Sequence, residues 1–273
     1  MGSLDAPRSY LFMLISVVTP VLNGARTIAR TLDSIAAQKG EFEHIVMDAG
    51  SKDATESIVQ TYLGRYPVQW HQKKDRSLYE GVWNGMQHAR GDVLCYINAD
   101  DQYLPWTLAT VRAVFERNPD VEWITGVPGL LNESTGVGKL TPVIPIFPRS
   151  WIRRGWYSPG GMGGLQQESM FWRRSLWERS NPSEILLKYR LAADFNLWRR
   201  FAEHAELRTV NSLLASFTVS DGQLSWKQRD EYLRECGLRP DQNRRRTWMR
   251  LASRMACIAG QFRVLQVPWD DNR

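Results

Sequence analysis

From residue 14 onward the chain alternates short apolar, β-branched runs with segments whose apolar residues recur every three or four positions, and this alternation restricts the fold more than any other feature. Strands buried on both faces read as continuous apolar runs, and the helices covering them read as one-sided stripes. The pattern therefore predicts an α/β chain, Rossmann-like, with a mainly parallel sheet flanked by helices. Residues 14–18 are the first expected strand, followed by a turn at Thr19-Pro20-Val21-Leu22-Asn23-Gly24 and a helix with Ile28, Leu32 and Ile35 on one side. Residues 44–47 are the second strand, which ends at Asp48-Ala49-Gly50-Ser51-Lys52-Asp53; Ile58, Val59, Tyr62 and Leu63 then mark a helix that stops near Gly64. Residues 68–71 are a third strand, after which Asp75-Arg76-Ser77 leads into a helix with Leu78, Val82, Met86 and Ala89 on one side. Residues 92–97 are a fourth strand that runs straight into Asn98-Ala99-Asp100-Asp101.

Past residues 121–125 the pattern loosens. Residues 126–164 are rich in Gly and Pro and longer than an ordinary connection, so they are either a flap over a site or strands without a legible period. Order returns at Gln166-Gln167-Glu168-Ser169-Met170-Phe171, and a later helix carries Leu191, Phe195, Trp198, Ala202 and Ala205 on one face, with Asp194 near its start. With 273 residues the chain needs one main domain, expected over residues 11–225. Residues 226–273 differ in kind: Trp248, Leu251, Met255, Ile258, Phe262 and Leu265 recur at helical spacing among Arg250, Arg254 and Arg263, which reads as a basic amphipathic helical extension. Such a helix either lies on an anionic membrane surface or docks its apolar face on the main domain.

Composition bounds the partners. The net charge of +6 suits phosphate-bearing ligands, an anionic membrane surface or nucleic acid, but Arg244, Arg245, Arg246, Arg250, Arg254 and Arg263 crowd one end and no nucleic-acid-binding motif accompanies them, so no nucleic-acid partner is expected. The 12 Trp are stacking surfaces or, more simply, large core side chains. Cys95, Cys236 and Cys257 are odd in number and lack C-x-x-C spacing, which supports neither a disulfide framework nor a zinc site and fits a reducing cytoplasm. No stretch approaches the ~20 apolar residues that span a bilayer.

Acids cluster where these strands should emerge at their C-terminal ends, the edge at which open α/β sheets bind ligands. Asp100 and Asp101 can hold a divalent cation (Mn or Mg) against a diphosphate, or can form an exposed turn that caps the next helix. Asp48 and Asp75 are placed to accept hydrogen bonds from a base edge or ribose hydroxyls, whereas Asp53 fits a helix cap better. His44, His71, His88 and His204 lack ligand spacing and fit core or surface roles. Trp151 and Trp156 fit either a sugar platform or loop packing.

Three segments carry a family likeness in order: Ile15-Ser16-Val17-Val18-Thr19-Pro20-Val21-Leu22-Asn23, then Asp48-Ala49-Gly50-Ser51-Lys52-Asp53, then Asn98-Ala99-Asp100-Asp101. They resemble the motifs of the family 2 glycosyltransferases of GT-A fold, and Asp75-Arg76-Ser77-Leu78-Tyr79-Glu80-Gly81, Gln167-Glu168-Ser169-Met170-Phe171 and Ala193-Asp194-Phe195 extend the likeness over residues 13–220. The resemblance implies an inverting transfer of a sugar from a nucleotide diphosphate donor, UDP-linked, to a saccharide or lipid-linked acceptor in cell-surface polysaccharide or glycolipid synthesis. It implies a nucleotide site at Thr19, Pro20, Asn23, Asp48, Asp75, Asn98 and Asp100, and a divalent cation at Asp100 and Asp101. Gln167 and Glu168 fall on the acceptor or sugar side, and Asp194 is the catalytic base. Asn98 stands where the family's D-x-D element has its first acid. The expected location is the cytoplasm, peripheral on the inner face of the membrane. The other readings are a metal-dependent nucleotidyltransferase, which also places carboxylates at strand ends, and a catalytically silent nucleotide- or nucleic-acid-binding protein.

Overall fold

The computed structural model describes residues 13–133, 135, 137–140, 145–158, 162, 164–219, 228–238 and 264–267. Strands β1 (Ile15–Val21), β2 (Phe42–Asp48), β3 (Val68–Gln72) and β4 (Val93–Tyr96) alternate with helices α1 (Ile28–Ala36), α2 (Thr55–Gln60) and α3 (Leu78–Met86), as the apolar periodicities require. Every residue of β1 and β2 is buried, the signature of strands covered on both faces. Then follow β5 (Gln102–Tyr103), α4 (Thr107–Arg117), β6 (Trp123–Thr125), β7 (Gly129–Asn132), β8 (Gly138–Leu140), α5 (Arg149–Arg153), a 3-10 turn at Gln167–Ser169, β9 (Met170–Arg173), α6 (Arg174–Arg179), α7 (Ser183–Leu186), α8 (Ala193–His204), β10 (Leu207–Thr209), β11 (Ala215–Val219) and α9 (Arg229–Glu235).

The main sheet has seven strands in the order β10-β6-β9-β4-β1-β2-β3, all parallel except β9, which runs antiparallel to both β4 and β6. The chain winds outward from β1 through β2 to β3 and then returns to lay β4 on the other side of β1. The crevice between the ends of β1 and β4 is thus a switch point of the winding, where open α/β sheets bind ligands.

β1 continues through Val21, three residues past the expected boundary. Pro20 is tolerated because Val18 directs its carbonyl to the Ile97 N–H, and Pro20, facing the same side two residues on, lies beyond the last β4 pair at Val18 and Tyr96. Residues 126–164 contain strands without a legible period: β7 and β8 are short and exposed, and join β5 and β11 in a second sheet, β5-β11-β7-β8, beside the switch point.

Four tryptophans fill the core, Trp123, Trp172, Trp177 and Trp198, whereas Trp106 is exposed. Trp123, Trp172 and Trp198 are fully buried, Trp123 stacks on Trp198 at 5.7 Å, and Trp172 stacks on Trp177 at 5.9 Å, with Phe201 meeting both Trp123 and Trp172 edge-on. This cluster fixes α8 against the sheet and so fixes Asp194 at its N-terminal end. α9 adds a second anchor: the Glu235 carboxylate accepts the N–H groups of Arg190 (3.0 Å), Leu191 (2.8 Å) and Ala192 (2.8 Å) just ahead of α8. Residues 239–263 of the expected basic helix lie outside the described residues. Leu265, assigned to that stripe, instead forms a β-bridge with Val210, its N–H donating to the Thr209 carbonyl at 2.8 Å, so the helical period does not extend through it.

Candidate active site

Two groups of acids line one edge of the main sheet. Over β2 and β3, Asp48 is fully buried and its carboxylate accepts the Ser51 N–H (3.0 Å), the Ser51 hydroxyl (2.5 Å) and the Gln72 amide (2.9 Å). Asn23 adopts a left-handed conformation (φ 52°), which an Asn tolerates, and ties the turn after β1 to this one: its N–H donates to Ser51 Oγ at 2.8 Å and its Oδ1 accepts the Lys52 N–H at 2.8 Å. Asp75 lies ahead of α3, held in place by the absence of a side chain at Gly81, where a Cβ would stand 2.8 Å from Asp75 Oδ2 and 3.2 Å from Pro20 Cβ. Burial raises the Asp75 carboxyl to about 6, and the Glu80 and Asp48 charges push in the same direction. Asp53 is a turn brace, accepting the N–H groups of Thr55 and Ala25, both at 3.0 Å.

Thr19 is buried, and its hydroxyl pairs with His44 Nε2 at 2.9 Å while His44 Nδ1 pairs with the Tyr66 hydroxyl at 2.9 Å. Burial drives His44 down to about 3, so the ring is a neutral structural bridge, which is the core role expected of it.

The second group sits over β4 and the start of α8. Asn98 follows β4, and its Oδ1 is buried without a protein partner. Asp100 lies near Glu133, Arg30 and Arg26; burial is the main cause of its raised carboxyl, and those guanidiniums oppose the rise. Asp101 is turned inward: Oδ1 accepts the Thr218 N–H at 2.8 Å from the second sheet, and Oδ2 lies 3.5 Å from the Asn98 amide. Burial, then the Glu168 and Asp100 charges, hold Asp101 far above the usual carboxylate range.

Glu168 is buried in the 3-10 turn, and Gln167 beside it donates its amide to the Tyr96 carbonyl. Burial pushes Glu168 up to about 8, with Asp100 and Asp194 adding to the rise, so it is mainly neutral at pH 7. It pairs with neither Arg173 nor Arg174, both of which donate to backbone carbonyls elsewhere. Asp194 opens α8; its Oδ1 accepts the Phe195 N–H at 2.7 Å, and Tyr79 lies within hydrogen-bonding reach. Burial raises Asp194 to about 6, while the Phe195 N–H and the Tyr79 hydroxyl restrain the rise.

The structure thus gathers Asp100, Asp101, Glu168 and Asp194 into one electrostatically connected cluster and sets Asp48 with Asp75 in a neighbouring one on the same edge. Three features of the site were not singled out from sequence. Glu133, just past β7, pairs with Arg26 and Arg30 at 3.1 Å each and so brings two guanidiniums toward Asp100; nothing in the sequence links positions this far apart. The Tyr96 hydroxyl is buried beneath the second cluster without a protein partner, and a polar atom in an otherwise apolar strand was its available signal. Thr218, from β11, completes the Asp101 environment.

A divalent cation fits the donor types at this edge. The Asp100 carboxylate and the unpartnered Asn98 Oδ1 are oxygen ligands of the kind hard cations take. Among the described residues no group of three His, Cys, Asp or Glu side chains is disposed to hold a metal unaided, as befits a cation that is bound by one or two carboxylates together with substrate phosphates.

Comparison with known proteins agrees with this geometry. The family model described as glycosyl transferase family 2 matches residues 16–162. A relative from Mycobacterium tuberculosis named PGL/p-HBAD biosynthesis glycosyltransferase is 29% identical over 220 residues, covering 77% of this chain and 78% of its own. Among solved structures, S. aureus TarS 1-349 in complex with UDP-GlcNAc superposes with a TM-score of 0.61 at 19% identity, over 77% of this chain and 60% of that one. The mannosyltransferase PcManGT from Pyrobaculum calidifontis, in complex with GDP-Man and Mn2+, gives 0.59 at 20%, over 81% of this chain and 62% of its own. Against the longer S. aureus TarS chain, the match spans 37% of that protein's length. These structural likenesses establish the GT-A fold, and with more than half of the sequence matched by the family model, the chain belongs to glycosyl transferase family 2.

Proposed function

We propose that the protein transfers a sugar, with inversion at the anomeric carbon, from a nucleotide diphosphate donor to an acceptor hydroxyl, with Asp194 as general base. The observation that carries the reading is the Asp194 carboxyl itself: held at about 6 by burial, it is ionised at neutral pH yet basic enough to take a proton from an alcohol as that alcohol attacks. Glu168 interacts electrostatically with both Asp194 and Asp100, which supports reading the base and the diphosphate side as parts of one site.

In this reading Asp48 and Asp75 receive the nucleoside, UDP-linked, beside Thr19, Pro20 and Asn23, and Asn98 and Asp100 face the diphosphate. A divalent cation (Mn or Mg) held by Asp100 and Asp101 would neutralise charge developing on the departing diphosphate. Gln167 and Glu168 line the acceptor side, where a neutral Glu168 donates a hydrogen bond rather than competing for the proton. The acceptor is a saccharide or lipid-linked molecule of cell-surface polysaccharide or glycolipid synthesis, a reading supported by the mycobacterial relative, which is named for PGL/p-HBAD biosynthesis. Peripheral membrane contact through residues 226–273 belongs to the same reading; no described helix is long and apolar enough to cross a membrane.

The test is thermal stabilisation by UDP-, GDP- and TDP-linked sugars with Mn2+, followed by NMR of the product formed from the donor that stabilises best. An α-linked donor yielding a β-linked product is the expected outcome. Retained configuration, or no stabilisation by any nucleotide sugar, refutes the reading.

A further inference from the structure

Beyond the acid-lined edge, the face of α8 opposite Asp194 borders a cavity of about 470 Å³ formed with α5 and α7. Its lining is charged: four arginines, Arg153, Arg154, Arg199 and Arg200, face a single acid, Glu203. Only Arg200 has carboxylate partners, Glu184 at 3.4 Å and Glu203 at 3.5 Å, both of them exposed. Among the described residues no salt bridge engages Arg153, Arg154 or Arg199. Like charges gathered in a concavity raise one another's energy and are kept at a cost, unless an anion binds among them.

These guanidiniums are also oriented. Arg199 donates Nε to the Arg153 carbonyl at 3.1 Å and lies over the Phe195 ring, which joins α8 to α5, and Arg154 lies over Trp156. Planar forks held against aromatic faces lose little further freedom on meeting a tetrahedral oxyanion, and several forks match a group with three or more acceptor oxygens better than a carboxylate with two. The volume is that of a small-ligand pocket, but the lining is polar rather than apolar, so the ligand should be anionic.

We infer that this groove binds a phosphoryl group of the acceptor, held on the face of α8 opposite Asp194 while the rest of the acceptor passes the N-terminal end of the helix to reach that carboxylate. The inference rests on the transferase reading for its link to Asp194, but the anion site itself does not.

The first measurement is calorimetric titration of inorganic pyrophosphate into the full chain in EDTA, comparing the parent with Arg153→Gln/Arg154→Gln, Arg199→Gln and Asp100→Asn. Binding should persist in Asp100→Asn and weaken roughly tenfold or more for each guanidinium removed. Arg153 and Arg154 are exposed, so their double variant should melt with the parent. Absence of pyrophosphate binding overturns the proposal, as does binding lost in Asp100→Asn but kept in the arginine variants. Tighter binding of acetate than of pyrophosphate would make it a carboxylate site and equally overturn it. The second measurement compares transfer to a phosphorylated acceptor with transfer to its dephosphorylated form. The arginine variants should raise KM for the former alone, with kcat little changed. Vesicles of phosphatidylglycerol in phosphatidylcholine complete the set: arginine-dependent vesicle binding without pyrophosphate binding would mark a membrane contact and overturn the acceptor site. If pyrophosphate binds as expected and no acceptor is glycosylated, the transferase reading fails while the anion site stands.

Discussion

Replacing Asp194 with Asn should make the protein more stable and nearly inactive at once. The carboxyl rises from an ordinary aspartate value of 3.8 to about 6 because burial penalises its charge. That difference corresponds to about 3 kcal/mol of preference for the neutral form, an upper figure because Asp194 keeps a solvent-facing edge. Asn keeps an oxygen for the Phe195 N–H and for Tyr79, so a gain of about 1–2 kcal/mol is expected at pH 8, or about 3–6 °C in Tm. The sign follows from linkage. A carboxyl that is harder to ionise folded than unfolded contributes its stability below the unfolded value near 4 and loses it as pH rises through about 6, so the variant's advantage should be absent at acidic pH and grow over that window. Over the same series transfer should fall by about 10²–10⁴, the usual contribution of a general base, with donor binding intact. Melting curves of both proteins from pH 4 to 8, with single-turnover transfer measured alongside, provide the check. A variant less stable than the parent at pH 8 would refute the claim that burial of charge sets this group, and a variant that turns over like the parent would refute its role.

The pH–rate profile of the parent should rise through about 6 and then level off, because the base must be ionised; a rate falling through that range would contradict the assignment. Glu168→Gln should melt within about 1 kcal/mol of the parent at pH 7, since Glu168 is already neutral there, whereas Glu168→Ala should lose more by opening a buried space, as read by chemical denaturation. Gly81→Ala should raise the donor KM about tenfold with a smaller loss of stability, because its methyl would displace Asp75 from 2.8 Å away; an unchanged KM would remove Asp75 from the nucleotide site. Glu235→Ala should cost about 1–3 kcal/mol by leaving the Arg190, Leu191 and Ala192 N–H groups unpaired, measured by urea unfolding.

How much of this was legible in the sequence depended on the distance over which each contact forms. The three βαβ units from β1 to β4 announced themselves because burial of β1, β2 and β4 on both faces leaves short apolar runs, and Asp48 and Asp100 were found at the ends of such runs, Asp75 after the half-buried β3. β7 and β8 did not, because their described residues are largely exposed and the strand that joins β7 to the rest of the sheet, β11, lies more than eighty residues on, so no local period records the pairing. Asp101 illustrates the limit within the site: the sequence places it beside Asp100, but the hydrogen bond that its Oδ1 accepts comes from Thr218, 117 positions away. Arg26, Arg30 and the arginine groove were equally hidden, since they meet Asp100, Glu133 and one another only through tertiary packing.

The same long-range assembly explains why the site is costly and why the fold can bear it. Tyr96 Oη, Asn98 Oδ1 and Glu168 Oε1 are buried without protein partners at the end of β4, each at about 1–3 kcal/mol. Together that is a large fraction of the ~5–15 kcal/mol by which a domain is stable. Phe at 96 would relieve part of it with little change in side-chain size, so packing alone gives no reason for the hydroxyl present. The compensating term is the aromatic block directly beneath, where Trp172, Trp198 and Phe201 pack with Tyr96 and pin β4, β9 and α8 to one another. An aromatic floor under a group of unpartnered oxygens and crowded carboxyls is a surface whose energy falls when hydrogen-bond donors or cations arrive.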